Sequence, residues 1–169
     1  WRLEHRGHNW NLIMTAPVRP FALYAAKFCA MAKMALLTQI WLLVLFLIGG
    51  KLGAGLTGFP PPEILLWLLR GAVGGLPIIA IQLLLSMVIR NFALPVLMAL
   101  GGSILGLMAT TSNAGLFWPY SLMLMGMNSN RTEDVMTGQL PGFFLSCIIF
   151  LAIFLLIADV VLAKQDVKA

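Results

Sequence analysis

Apolar residues in this chain come in long runs separated by short polar breaks. The first run covers residues 20–50 and carries Lys27 and Lys33 in its first half, with no charge from Met34 to Gly50. It predicts a helix of about 45 Å at 1.5 Å per residue. That exceeds a ~30 Å hydrocarbon core, so its lysine-bearing start is expected to protrude. Residues 51–62, Lys-Leu-Gly-Ala-Gly-Leu-Thr-Gly-Phe-Pro-Pro-Pro, form a loop that ends one span and opens the next. The second run, 63–89, begins with Glu63 at the positive end of its helix dipole. Pro77 is expected to kink it. Arg70 is expected to snorkel from its third turn to the interface. After Arg90 and Asn91, with Asn91 as N-cap, a third helix is predicted over 92–109. The last run, 142–163, carries Asp159 near its end.

One apolar stretch does not fit the span length. Residues 114–127, Ala-Gly-Leu-Phe-Trp-Pro-Tyr-Ser-Leu-Met-Leu-Met-Gly-Met, are too few to cross and contain Pro119. They predict an interfacial or re-entrant helix, with Trp118 and Tyr120 in an aromatic belt. Residues 128–138 are polar.

Composition agrees with this pattern. Of 169 residues, 60% are hydrophobic and 10% charged, where a soluble domain carries about 25% charge. Lipid is therefore the expected solvent for most of the chain, and the expected class is all-α, a polytopic helix bundle. The net charge of +5 is scattered singly between apolar runs, without the basic patch and interleaved aromatics of a nucleic-acid surface. With four spans, Arg2, Arg6, Arg19, Lys27, Lys33, Arg90, Lys164 and Lys168 share one side of the membrane. Lys51, Arg70 and Arg131 share the other. The basic majority puts both ends of the chain in the cytoplasm of a multi-pass cell-membrane protein.

Candidate chemistry is sparse. Glu4, His5 and His8 are the one grouping with metal-ligand atoms, but the spacing is not HExxH and no further strong ligand is near, so a solvated polar segment is the better reading. Cys29 and Cys147 stand in separate apolar runs and read as small fillers. Asp159 is read as an interfacial acid or a partner of Lys33 or Arg90, with a proton-carrying role as the alternative. Gln39, Gln82 and Ser86 are expected to hydrogen-bond between helices, and the pairs Gly49/Gly53, Gly71/Gly75 and Gly102/Gly106 to let helices approach. Asn130-Arg-Thr132 matches a glycosylation sequon, a chance match at this length. With no GxxxxGK[ST] motif, the chain does not hydrolyse ATP through that machinery.

The polar opening is the remaining feature. On a helix, Leu3, Gly7, Trp10 and Met14 fall on one face, apolar except for the glycine, with Glu4 and His8 beside it. Pro17 ends that helix. Such a face suits either the bilayer surface or a groove in a partner protein.

The run Glu4-His-Arg-Gly-His-Asn-Trp-Asn-Leu-Ile-Met-Thr-Ala-Pro-Val-Arg19, with Tyr24-Ala-Ala-Lys27 and Gln82-Leu-Leu-Leu-Ser-Met-Val-Ile-Arg-Asn-Phe92, resembles the permease subunits of type-2 ABC exporters. It is most similar to the lantibiotic-immunity group. The resemblance implies a non-enzymatic permease of six helices, of which this N-terminally truncated domain shows the last four. Residues 1–19 become a cytoplasmic coupling segment in which Leu3, Glu4, Gly7, Trp10 and Met14 contact an ATP-binding cassette ATPase subunit. Arg90 and Asn91 form a second cytoplasmic turn. The implied partners are ATPase subunits, a second identical or homologous permease, and the bilayer. ATP and magnesium are held by the ATPase, and no cofactor by this chain. The implied cargo is an antimicrobial peptide expelled for immunity. A secondary transporter or channel driven by an ion gradient is the first alternative, and a non-transporting membrane scaffold or sensor the second.

Overall fold

The computed structural model describes residues 19–89, 91–112, 114–129, 131, 133–134 and 136–164. Those residues are helical throughout the ordered elements, with no strand among them. Four helices are long and apolar enough to cross a membrane: α1 (Pro20–Ile48, continued by a π-helical turn over Gly49–Gly53), α2 (Glu63–Val88), α3 (Ala93–Thr111) and α5 (Leu140–Lys164). Between α3 and α5 lie a 3₁₀ turn, Gly115–Phe117, and a short helix α4, Pro119–Gly126.

Local chemistry sets the ends. Arg19 is extended, as a residue before proline must be, and Pro20 starts α1 with a preset φ. Lys33 and Lys51 bracket a charge-free stretch of α1 about 27 Å long, close to a hydrocarbon core. At the far end Gly55 takes φ 64°, and the Leu56 amide turns back to the Gly50 carbonyl at 3.0 Å. This left-handed residue stops the helix where a side chain would be strained. The helix α2 runs unbroken through a buried Pro77. Asn91 serves α3 from one position earlier than expected: Phe92 is the boundary residue, and the Asn91 Oδ1 accepts the Ala93 amide at 3.0 Å.

The stretch expected as one piece over 114–127 divides at Trp118, which is extended (φ −125°, ψ 121°) ahead of Pro119. The residue before a proline is pushed out of the helical region, and Pro119 then begins α4 at a first-turn position.

Buried side chains gather in two clusters at opposite ends of the bundle. Tyr24 of α1, Leu83, Leu84 and Met87 of α2, and Ala158 and Leu162 of α5 form the first. The Tyr24 hydroxyl donates to the Ala80 carbonyl at 2.8 Å, tying α1 to α2 there. Leu122 and Met125 of α4, Met136, and Phe143 and Cys147 of α5 form the second. Most other large apolar side chains face outward. Only 6% of the spanning window of α1 is buried, which water would not tolerate and lipid does.

Candidate functional site

The most closely packed part of the molecule is the seat of α4 between α2 and α3. Glycines make it. A Cβ on Gly74 of α2 would stand 2.5 Å from the Leu122 carbonyl oxygen, and one on Gly126 would stand 2.6 Å from the Arg70 carbonyl oxygen. A Cβ on Gly71 would collide with Met127. On the other side, Gly102 of α3 faces the Tyr120 ring, 2.7 Å from such an atom, and Gly106 faces the Tyr120–Ser121 backbone at 3.0 Å. The α4 backbone thus lies against α2 directly, at a distance only glycine permits. Gly102/Gly106 is used as its spacing predicts. On α2 the working pair is Gly71 with Gly74, while Gly75 meets only the Met123 sulfur at 3.8 Å. Gly49 and Gly53 approach nothing within 4 Å among the described residues, which corrects the expectation for that pair.

Polar groups lock the same seat. The Trp118 indole N–H donates to the Gly102 carbonyl at 2.9 Å, and Gln82 Nε2 donates to the Tyr120 hydroxyl at 2.6 Å. The Ser121 hydroxyl shares its one proton between the carbonyls of Gly115 and Trp118. Tyr120 is therefore buried in the bundle rather than standing in a belt at the membrane surface, and Trp118 is half-buried beside it. The physical reason is the pair of glycine notches on α3, which admit a ring where a larger residue would expel it. Of the three polar residues expected to join helices, Gln82 does so. Ser86 bonds the Leu83 carbonyl of its own helix at 2.9 Å, and the Gln39 Oε1 is buried without a hydrogen-bond partner among the described residues.

Beyond α4 the chain reverses through Asn128, at φ 51°, and Gly138, at φ 79°. Asparagine tolerates this region better than other side chains. The intervening loop brings Asp134 to Arg70. Arg70 Nη2 donates to Asp134 Oδ2 at 2.8 Å, Asp134 Oδ1 accepts the Met136 amide at 2.9 Å, and Thr137 donates to the Asp134 carbonyl. Arg70 is 3% exposed, and its Nε donates to no partner among the described residues. The expected snorkelling arginine is instead buried under the loop, because a carboxylate 64 residues away supplies its counter-charge. The Arg70 hydrogen bond holds the Asp134 carboxyl below its ordinary range, with desolvation opposing and the Met136 amide assisting. A depressed carboxyl stabilises the fold above its unfolded value and loses that contribution as pH falls through its folded value. Thermal unfolding followed from neutral pH downward should therefore show the Asp134 contribution intact to about pH 4 and lost below it. Asp134→Asn should remove that part of the acid dependence.

A cleft of about 370 Å³ lies at mid-height between α1 and α2, between the two buried clusters. Its walls include Lys33, Leu36 and Gln39 of α1 and Gly71, Leu76 and Ile79 of α2, with Met123 of α4. The proposed coupling residues Leu3, Glu4, Gly7, Trp10 and Met14 lie outside the described residues, as does Arg90. Asn91 caps α3, and Asp159 is exposed in the last turns of α5.

Four long apolar helices and a glycine-seated short helix, with no strand among the described residues, mark a polytopic membrane protein. The family model described as ABC-2 family transporter protein matches residues 1–106. The chain belongs to that family: it is a membrane permease of the ABC transporter class, a type of component that works with ATP-binding cassette subunits. The match takes in the opening segment, α1, α2 and most of α3, and α4 and α5 follow it. No curated protein and no solved structure matches the chain.

Proposed function

We propose that this permease is one half of the membrane pathway of an ATP-driven exporter, paired with a second identical or homologous permease and with two ATPase subunits. Residues 1–19 act as the cytoplasmic coupling segment. Leu3, Trp10 and Met14 seat in a groove of the ATPase, Gly7 allows close approach, and Glu4 flanks the contact. The turn at Arg90 and Asn91 faces the same partner. ATP hydrolysis, with magnesium, takes place on that partner and supplies the energy. The cargo is an amphipathic antimicrobial peptide expelled from the membrane for self-immunity.

The observation that carries this reading is the family match, which begins at the opening segment and runs through α2. The distribution of basic residues supports cytoplasmic ends for the chain. The cargo rests on the resemblance to the lantibiotic-immunity group.

In the full-length protein, gentle solubilisation should carry the ATPase subunit along. Trp10→Ala should cut transport about tenfold or more with membrane insertion unchanged, the size expected for an aromatic anchor of an interface. Absence of the ATPase together with wild-type transport by the Trp10 and Glu4 variants would overturn the coupling role. Loss of transport in Asp159→Asn, with the ATPase dispensable, would point to ion-gradient drive instead.

A further inference from the structure

The cleft between α1 and α2 holds a polar side chain that the fold leaves unsatisfied. Gln39 is 6% exposed and its Oε1 accepts no hydrogen bond from the described residues. Burying an acceptor without a donor is unfavourable, more so where no water can reach it. An unpaired buried acceptor in a native fold calls for an explanation, and a bound molecule is one that a neighbouring cleft makes room for. Its position narrows the partner. Gln39 lies on the wall of the 370 Å³ cleft, a volume suited to a small ligand. The terminal amide torsion of glutamine is broad and soft, so the amide of this lining residue can turn to meet a donor.

The other walls narrow it further. Lys33 is the one cation on them, six residues before Gln39 and about 9 Å from it along the helix axis. Ala32, Leu36, Leu76, Ile79 and Met123 give the rest an apolar lining. A transmembrane helix does not answer Gln39 with its backbone, since its amides are already paired. The acyl chain of an ordinary phospholipid offers no donor at that depth.

We infer that the α1–α2 cleft is a lateral binding site for an anionic amphiphile that carries an O–H or N–H donor part-way along its apolar body. Lys33 receives the anionic head and Gln39 Oε1 accepts the deeper donor. The inference goes beyond the permease reading, and its test involves neither ATP nor transport.

The test uses the full-length protein in discs of neutral phosphatidylcholine and two radiolabelled probes, stearate and stearate hydroxylated at mid-chain. The wild type should bind the hydroxylated probe saturably and about five- to tenfold more tightly, the factor one neutral hydrogen bond provides. Gln39→Leu should erase that preference while stearate binding and the thermal midpoint hold. Lys33→Gln should weaken both probes by a similar factor. Phosphatidylglycerol, anionic but without a deep donor, should displace the hydroxylated probe poorly. Equal binding of the two probes by the wild type would overturn the inference. So would a preference that survives Gln39→Leu, non-saturable partitioning, or efficient displacement by phosphatidylglycerol.

Discussion

Asp134→Ala should destabilise the protein by about 2–3 kcal/mol, and more than Arg70→Met. Removing one partner of a buried ion pair costs about 3–5 kcal/mol, because the other charge stays buried without compensation. Here the side left behind is Arg70, 3% exposed and already short of a partner for its Nε. The lower figure applies because the Asp134 side of the pair is 31% exposed, so water reaches part of the vacated position. Arg70→Met leaves the opposite remainder, a carboxylate at the loop surface that can hydrate, and should cost less. The double variant should be more stable than Asp134→Ala alone, since it buries no charge. Denaturation in matched detergent, with the four proteins compared as a cycle, reads these differences. If Arg70→Met proves the more damaging single change, the burial asymmetry does not govern this pair.

Why the sequence shows some of this and hides the rest follows from the range of each cause. A span is a local property: some twenty apolar residues in a row suffice, whatever packs against them. The four long helices were therefore readable directly, and Pro20, Glu63 and Asn91 marked starts through chemistry within a turn. The buried ion pair is not local. Nothing near Arg70 signals Asp134, since the two meet only because α4 folds back against α2. The glycine spacings fall between these cases. Gly49/Gly53 and Gly102/Gly106 have the same spacing, yet one pair meets nothing and the other receives Tyr120. Spacing gives a helix a smooth face, and only the fold supplies a partner for it. Trp118 and Tyr120 show the same ambiguity, as an aromatic suits either the membrane surface or a notch lined by glycine. The residues proposed for coupling show in the sequence as an amphipathic face with a glycine in it, and they lie outside the described residues.

Gly74→Ala should be, with Gly126→Ala, among the most disruptive single methyl groups in the described helices, destabilising by about 1–3 kcal/mol, the range for forcing volume into a packed contact. The atom it would meet is backbone: the Leu122 carbonyl oxygen at 2.5 Å, its carbon at 2.6 Å and the Met123 nitrogen at 2.9 Å. Backbone held in a helix cannot step aside as a side-chain tip does, so α4 must move as a unit. Moving it would pull Tyr120 from Gln82 and Trp118 from the Gly102 carbonyl. Gly71→Ala should cost less, because its obstacle is the flexible Met127 side chain. Gly49→Ala meets nothing within 4 Å and should be neutral or stabilising, as alanine gains up to about 1 kcal/mol over glycine within a helix. Unfolding midpoints for the three variants should thus rank Gly74→Ala lowest and Gly49→Ala highest. Cysteine accessibility at an introduced Leu124→Cys, next to the seat, should rise in Gly74→Ala and stay at its reference level in Gly49→Ala. A Gly74→Ala protein as stable and as protected as its parent would mean that α4 does not rest backbone-to-backbone on α2, and the glycine notches would then lose their role in building this end of the permease.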